Sequence, residues 1–346
     1  MRPRAPALIT ALFLLAALPG TAGARGGDAL RSEHDRILAY WTPARIANAK
    51  PRDYVMTASG SLIPAAKPPG TPGGGPGGGG GGDGGGGGGS VPTVTGASWN
   101  DGGAIEERSG RVLFSDNDGN WICSASVVSD GSTSNGFSLV VSAGHCAYNG
   151  SGGFASNWMY MPDFDAYPSY NCATRPLGCW TATDLFLWTA FVSGGGFGGG
   201  TLSYDWSIAR VGLGGSSGNT ELDSLAGGYS LKTSGNGVSD AAWAFGYPAA
   251  QKYKGYDLVY CAGTTVSDPY GRPTWGLGCD MTGGSSGGPW LVDTVDPAGG
   301  SGSIASVNSY GYTGLKYMFG PIFNANTQAT YNAARTLTPT AGVTRH

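Results

Sequence analysis

The sequence predicts an all-β protein with one C-terminal helix, and three observations carry that prediction. Sixty-four glycines and 17 tyrosines stand among few lysines and glutamates in a chain of 346 residues. That composition suits many short strands joined by tight turns and does not suit a helical bundle. From Val91 onward, β-branched or aromatic runs alternate with turn residues: Arg111 to Phe114, Trp121 to Val128, Ser138 to Ser142, Ser207 to Val211, Ala241 to Phe245 and Leu258 to Cys261. In that part of the chain only Asn326 to Leu337 reads as a convincing helix. Asn117-Asp118-Gly119-Asn120 lies between two predicted strands and is expected to form a hairpin turn, because Asp-Gly tolerates the positive φ that such turns need. The sequence contains no internal repeat.

The chain is 40% hydrophobic and only 12% charged, enough to bury a sizeable core, and its formal net charge is -3. That balance offers no basic surface for a nucleic-acid backbone, so no nucleic-acid partner is expected. Residues 1–24 read as a secretory signal peptide: Arg2 and Arg4 form the basic start, Ala7 to Leu18 the apolar stretch and Ala22-Gly23-Ala24 the small-residue cleavage site. The apolar stretch is shorter than the roughly 20 residues a membrane span needs, and no later segment is long enough. A secreted, soluble protein with no membrane partner is expected.

Residues 25–69 differ from everything after them. They are charged and helix-permissive, and Leu30, Ile37, Leu38 and Trp41 are expected to share one helical face. Residues 70–90 are almost wholly glycine and proline and read as a flexible linker. A pro-segment tethered to the unit at 91–346 and removed during maturation fits this order; an ordinary appendage on a spacer is the alternative.

All six cysteines, Cys123, Cys146, Cys172, Cys179, Cys261 and Cys279, follow the signal, and an even count in an exported chain favours disulfides. Six cysteines allow 15 connectivities; their order suggests that neighbours pair, Cys123 with Cys146, Cys172 with Cys179 and Cys261 with Cys279. Close CxxC pairs are lacking and histidine is scarce, so neither a metal nor another cofactor is expected.

Gly284-Ser285-Ser286-Gly287-Gly288-Pro289 embeds a serine in glycines that let backbone N–H groups approach a reacting carbonyl. A serine hydroxyl needs an adjacent base to act as a nucleophile near neutral pH. The chain has three histidines: His34 in the N-terminal segment, His346 at the end, and His145 after the apolar run Val140-Val141-Ser142. His145 is therefore the candidate base. A carboxylate must orient its imidazole; Asp205, directly before the run Trp206-Ser207-Ile208-Ala209, is preferred over Asp184 in Thr183-Asp184-Leu185.

The order His, Asp, Ser, with the contexts Ser142-Ala143-Gly144-His145-Cys146, Asp205-Trp206-Ser207-Ile208 and Gly284-Ser285-Ser286-Gly287-Gly288-Pro289, resembles the chymotrypsin (trypsin-like) superfamily, particularly its secreted bacterial branches. The resemblance implies two six-stranded antiparallel β-barrels with a C-terminal helix, the barrels meeting near residues 215–235. It also implies a serine endopeptidase working on a protein or peptide substrate, as a monomer, with His145, Asp205 and Ser286 as the triad. The N–H groups of Gly284 and Ser286 would form the oxyanion hole, and Ser309-Tyr310-Gly311 the strand that pairs with substrate. Asp280, six residues before Ser286, falls where trypsin-type enzymes carry the pocket carboxylate, which implies Arg or Lys at P1. Three positions depart from the family's patterns: Ser285 replaces the aspartate that pairs with a new N-terminus, Cys279 is shifted upstream, and Asn308 stands where glutamyl endopeptidases carry histidine. A catalytically silent homologue acting as a binding module is the alternative function.

Overall fold

A computed structural model describes residues 22–64, 90–250 and 252–346. The expected signal sequence up to residue 21 and the linker at 70–89 lie outside the described residues. The protein is mostly β, and its first barrel is closed by β1 (Ser109–Asp116), β2 (Gly119–Val128), β3 (Ser138–Ser142), β4 (Ser156–Pro162), β5 (Trp180–Trp188) and β6 (Ser207–Val211). Every ladder round the ring is antiparallel: β1 pairs with β2 and β4, β4 with β5, β5 with β6, β6 with β3, and β3 returns to β2. The predicted hairpin forms, with Asp116 opposite Gly119. Asp116 Oδ1 accepts from the N–H groups of Asp118 and Gly119 and from Trp121 Nε1, while Gly119 takes φ +145°.

The second barrel is built from two sheets. Strands β7 (Ala241–Gly246), β8 (Val259–Thr264), β10 (Pro289–Val292) and β11 (Ser303–Val307) lie in the order β11-β10-β7-β8. Strands β9 (Thr274–Gly278), β12 (Tyr310–Tyr312) and β13 (Tyr317–Pro321) lie in the order β9-β13-β12. The chain passes from one sheet to the other at Asn308-Ser309, between β11 and β12. On the other side, the Cys261–Cys279 disulfide ties β8 to the residue after β9. Trp275 and Trp290 stack at 5.8 Å in the interior, among Ala244, Leu277 and Met318.

Several of these strands escape the sequence pattern. The strands β9 and β10 are short and buried at nearly every position, so they show no period-2 alternation. The C-terminal helix, Ala325–Thr336, is capped by Asn324, whose side chain accepts from Asn326 N while Thr327 Oγ1 accepts from Asn324 N. One-turn helices at Ala104–Arg108, Thr189–Ser193 and Leu222–Ala226 are too short to show a helical period.

The N-terminal segment packs against both barrels. A helix, Ala22–Tyr40, meets the first barrel from His34 onward: His34, Ile37 and Trp41 are buried, His34 Nδ1 lies 3.0 Å from Thr181 Oγ1, and Trp41 Nε1 donates to the Asn157 carbonyl. Leu30, expected on the same face, is 54% exposed because the contact begins one turn later. A short strand, Tyr54–Met56, then adds to β12, and Leu62–Pro64 folds back antiparallel beside it.

Two buried residues of the first barrel hold the loop before Ser286. Arg111, on β1, donates to the carbonyls of Tyr247, Gly255 and Gly284, and Ser124, on β2, donates to the Gly284 carbonyl at 2.8 Å. Burial lowers the Arg111 pKa, yet the guanidinium's fork of donors satisfies carbonyls that a shorter side chain cannot reach. Arg111→Met leaves the Tyr247 and Gly255 carbonyls without that donor. It is expected to lower unfolding free energy by about 3 kcal/mol in denaturant titrations; Arg111→Lys is expected to recover less than half of the loss.

Candidate active site

The register of β3 and β6 sets the first half of the site. Ser142 pairs with Ser207, so the residues just after β3 and just before β6 emerge at the same end of the barrel. His145 follows β3 in the one-turn 3₁₀ helix Gly144–Cys146, and Asp205 ends the turn that precedes β6. The disulfide Cys123–Cys146 fastens the residue beside His145 to β2. Its sulfurs and the imidazole lie within 4.8 Å of one another, but both sulfurs are bonded, so neither is a thiolate ligand for a metal.

Asp205 is fully buried and accepts three hydrogen bonds. Its Oδ1 takes the His145 backbone N–H at 2.7 Å; its Oδ2 lies 2.8 Å from His145 Nδ1 and also accepts from Ser309 Oγ. A buried carboxylate needs such donors to remain ionised. His145 Nε2, on the other side of the ring, is buried with no hydrogen-bond partner. Asp184 lies elsewhere: it pairs with Arg345 at 2.6 Å and accepts from Thr183 Oγ1. The other two histidines are occupied as well, His34 at Thr181 and His346 stacked on Phe154 at 4.4 Å.

Ser286 is brought to the seam from the second barrel. Its carbonyl accepts from Ser124 N at 2.7 Å, Gly287 N donates to the Asn308 carbonyl, and Asn308 N donates to the Gly288 carbonyl. Gly287 has φ +84°, and a Cβ there would lie 2.1 Å from Ser142 Oγ and 2.3 Å from the Ser124 carbonyl. The glycines of the motif therefore let the turn seat against the first barrel. Gly284, with φ +97°, has its carbonyl held by Ser124 and Arg111.

Asn308 is fully buried, and its side chain is committed within the protein. Its Nδ2 donates to the carbonyls of Phe245 and Ser285, and its Oδ1 accepts from Trp290 Nε1 at 2.7 Å. Ser285 Oγ donates to the Thr282 carbonyl. Asp280 accepts from Lys252 Nζ at 2.7 Å and from Tyr253 OH. Tyr310 OH donates to Asp268 Oδ2, whose other donor is Tyr312 OH, and burial with that carboxylate raises the Tyr310 pKa. The pairs Cys123–Cys146, Cys172–Cys179 and Cys261–Cys279 all form, in the neighbour order suggested by the sequence.

Four residues near the site were not singled out in the sequence. Ser124 and Arg111 act across more than a hundred residues of chain, which no local pattern reports. Tyr54 and Asp53 come from the N-terminal segment. The Tyr54 ring meets His145 edge-on at 5.0 Å and stacks on Phe197 at 4.2 Å. Asp53 sits against Gly283, where a Cβ would lie 2.6 Å from the Asp53 Cβ; burial raises its carboxyl pKa, and the His145 imidazole and backbone N–H groups of Tyr54 and Gly283 oppose that rise. The edge Tyr310–Tyr312 carries the same segment, Val55 opposite Gly311 and Met56 opposite Tyr312.

Solved structures resemble this arrangement. The thermostable serine protease AL20 from an extremophilic microorganism is 33% identical with a TM-score of 0.56, covering 68% of this chain and 100% of its own. The protease Anisep from Arthrobacter nicotinovorans is 31% identical with a TM-score of 0.57, covering 70% and 99%. A Glu endopeptidase, 15% identical with a TM-score of 0.50 over 71% and 96%, shares the fold. No protein-family model and no curated protein matches the chain. The chain belongs to the chymotrypsin-like serine proteases, and it is a peptide hydrolase.

Because Asn308 joins β7, β10 and the Ser286 turn through three bonds, Asn308→Ala is expected to cost about 2 to 4 kcal/mol of stability. The drop should appear in denaturant unfolding, and Asn308→Asp should not restore the wild-type value, since a carboxylate cannot donate to the Phe245 and Ser285 carbonyls.

Proposed function

We propose that the protein is an endopeptidase in which Ser286 attacks the scissile carbonyl, His145 takes and returns the proton, and Asp205 holds the imidazole. The observation that carries this reading is the buried chain Ser309–Asp205–His145, which places Nδ1 on the carboxylate and leaves Nε2 free of any protein partner. With Nδ1 donating to Asp205, Nε2 is the acceptor that a serine proton needs. Ser309 is a positioning residue in this scheme, acting on the imidazole through Asp205.

The oxyanion of the tetrahedral intermediate falls to the N–H groups of Gly284 and Ser286. Two other carbonyls support that assignment: Gly283 O accepts from Ala249 N and Ser285 O from Asn308 Nδ2, which fixes the two peptides that carry the Gly284 and Ser286 N–H groups, and a donor is worth most when its peptide cannot turn away. The acyl-enzyme then forms as the amine leaves with the proton from His145, and water repeats the sequence to release the acid. Substrate backbone pairs with the edge Ser309, Tyr310 and Gly311.

For the P1 side chain, the commitment of Asp280 to Lys252 and Tyr253 counts against selection of Arg or Lys by a free carboxylate. Asn308 is likewise spent inside the protein and offers no positive charge for glutamate. We infer that neither Asp280 nor Asn308 supplies a free charged or polar group to select P1. Three disulfides, and no helix among the described residues long and apolar enough to cross a membrane, support export after removal of residues 1–24. The docking of Asp53 and Tyr54 at His145 supports residues 25–69 as a pro-segment, with release at the 70–90 linker.

Peptide hydrolysis by the processed enzyme tests the scheme. Ser286→Ala should abolish turnover, and Asp205→Asn should lower kcat by about 10⁴-fold while the protein stays folded, since the amide fixes the wrong imidazole tautomer. Asp184→Asn should keep kcat within threefold of wild type; a loss matching that of Asp205→Asn would reverse the assignment. In a peptide-library profile, Asp280→Asn should change the ratio of Arg or Lys to apolar P1 cleavage by less than threefold. A larger fall would restore Asp280 as the selecting group.

A further inference from the structure

Residues 50–56 cross the seam from one barrel to the other. Lys50 and Pro51 pair with Trp121 and Ile122 of β2, and Val55 and Met56 pair with Gly311 and Tyr312 of β12. Only Arg52, Asp53 and Tyr54 lie between the two ladders, and each is anchored. Arg52 N donates to the Ile122 carbonyl, and its buried guanidinium pairs with Asp116 and stacks over Trp121 at 4.0 Å. Asp53 fills the space beside Gly283, three residues before Ser286. Tyr54 lies over the His145 imidazole, wedged against Phe197, with its hydroxyl on Asn149. Beyond it, the turn at Thr57–Ser61 folds the strand Leu62–Pro64 back on Tyr54–Met56, and Thr313 N donates to the Met56 carbonyl from the second barrel's edge.

Both ladders are parallel. A peptide to be cut must set a backbone carbonyl between Ser286 Oγ and the N–H groups of Gly284 and Ser286. This segment brings a side-chain carboxylate and an aromatic ring to that region instead. A peptide added antiparallel to Tyr310–Tyr312 would run through the site in the opposite direction. We propose that residues 50–56 form a strap across both halves of the cleft, blocking the site without being cleaved and remaining bound after the linker is severed. The proposal rests on the Ser286 reading above and deepens it: the cleft is an interaction surface whose fitted partner is the chain's own N-terminal segment, held by the Arg52–Asp116 pair and the Tyr54 cap. A cavity of about 860 Å³ lies beside the strap, between Leu38, Trp41 and Ile46 of the segment and Ile122, Met159 and Tyr256 of the protease.

The test uses the full chain with a recognition site for a sequence-specific protease placed within residues 70–90. Reaction of Ser286 with a fluorophosphonate is followed before cutting, after cutting, and after the segment has been stripped with mild denaturant and the protein returned to buffer. The expected order is slow, slow and at least 50-fold faster, with every bond between residues 50 and 56 intact by mass spectrometry. Tyr54→Ala should raise the rate of the uncut chain at least tenfold and leave the stripped enzyme, which lacks residue 54, unchanged. Equal rates in all three states, or cleavage within 50–56, would overturn the strap. Segment retention by Ser286→Ala after cutting, measured by size-exclusion chromatography, gives a readout independent of reactivity. Retention weakened at least tenfold by Gly283→Ala, whose new Cβ collides with Asp53, supports the docking; loss of the segment from the unsubstituted Gly283 form contradicts it. If the segment is retained but the stripped wild type never reacts, the Ser286 assignment falls while the strap's docking stands.

Discussion

The carboxylate of Asp205 is the joint on which the site depends. It is fully buried, and its charge is tolerated because three donors converge on it. Two come from His145 in the first barrel and one from Ser309, at the crossing between the two sheets of the second. One side chain thus fixes the plane of the imidazole and, through Ser309, the start of the edge Tyr310–Tyr312 beside it. The barrels are brought to that joint by contacts of the same kind. Arg111 and Ser124 reach across the seam to the Gly284 carbonyl, and Ser124 N donates to the Ser286 carbonyl. The contacts that position Ser286 are therefore distributed over both barrels, and neither half contains them alone.

How much of this was legible in the sequence depended on whether the determining contact was local. Ser286 was singled out by its glycines and His145 by the scarcity of histidine; the structure puts His34 and His346 against the first barrel with partners of their own. Asp205 and Asp184 were harder to separate, because each precedes or sits within an apolar strand. What divides them is register: Asp205 emerges beside His145, whereas Asp184 faces Arg345 from the C-terminal strand Val343–Arg345. For Asp280 the sequence offered only its spacing from Ser286; its partners Lys252 and Tyr253, nearly thirty residues earlier, are contacts that no local pattern reports. The strands Ser138–Ser142 and Ser207–Val211 were predicted to the residue and Ser109–Asp116, Gly119–Val128 and Ala241–Gly246 to within two, while Ser156–Pro162, Trp180–Trp188 and the short strands β9, β10, β11 and β13 were not singled out.

The N-terminal segment is the part in which pattern and structure diverged furthest. Its helix was expected from spacing, but nothing local says that Tyr54–Met56 pairs with a strand more than 250 residues later. Gly283 carries the trace of that contact, since its missing side chain is the space that Asp53 fills. The segment places a buried ion pair, an aromatic contact with His145 and two parallel ladders across the seam between the barrels, so its folding is physically linked to the surroundings of His145.

The measurement that tests the central claim most directly is peptide mapping of the processed protein after reaction with a phosphonate inhibitor. The account predicts a single covalent adduct on Ser286, lost in Ser286→Ala and slowed by orders of magnitude in His145→Ala. An adduct on any other serine, or an equal rate of adduct formation without His145, would contradict it.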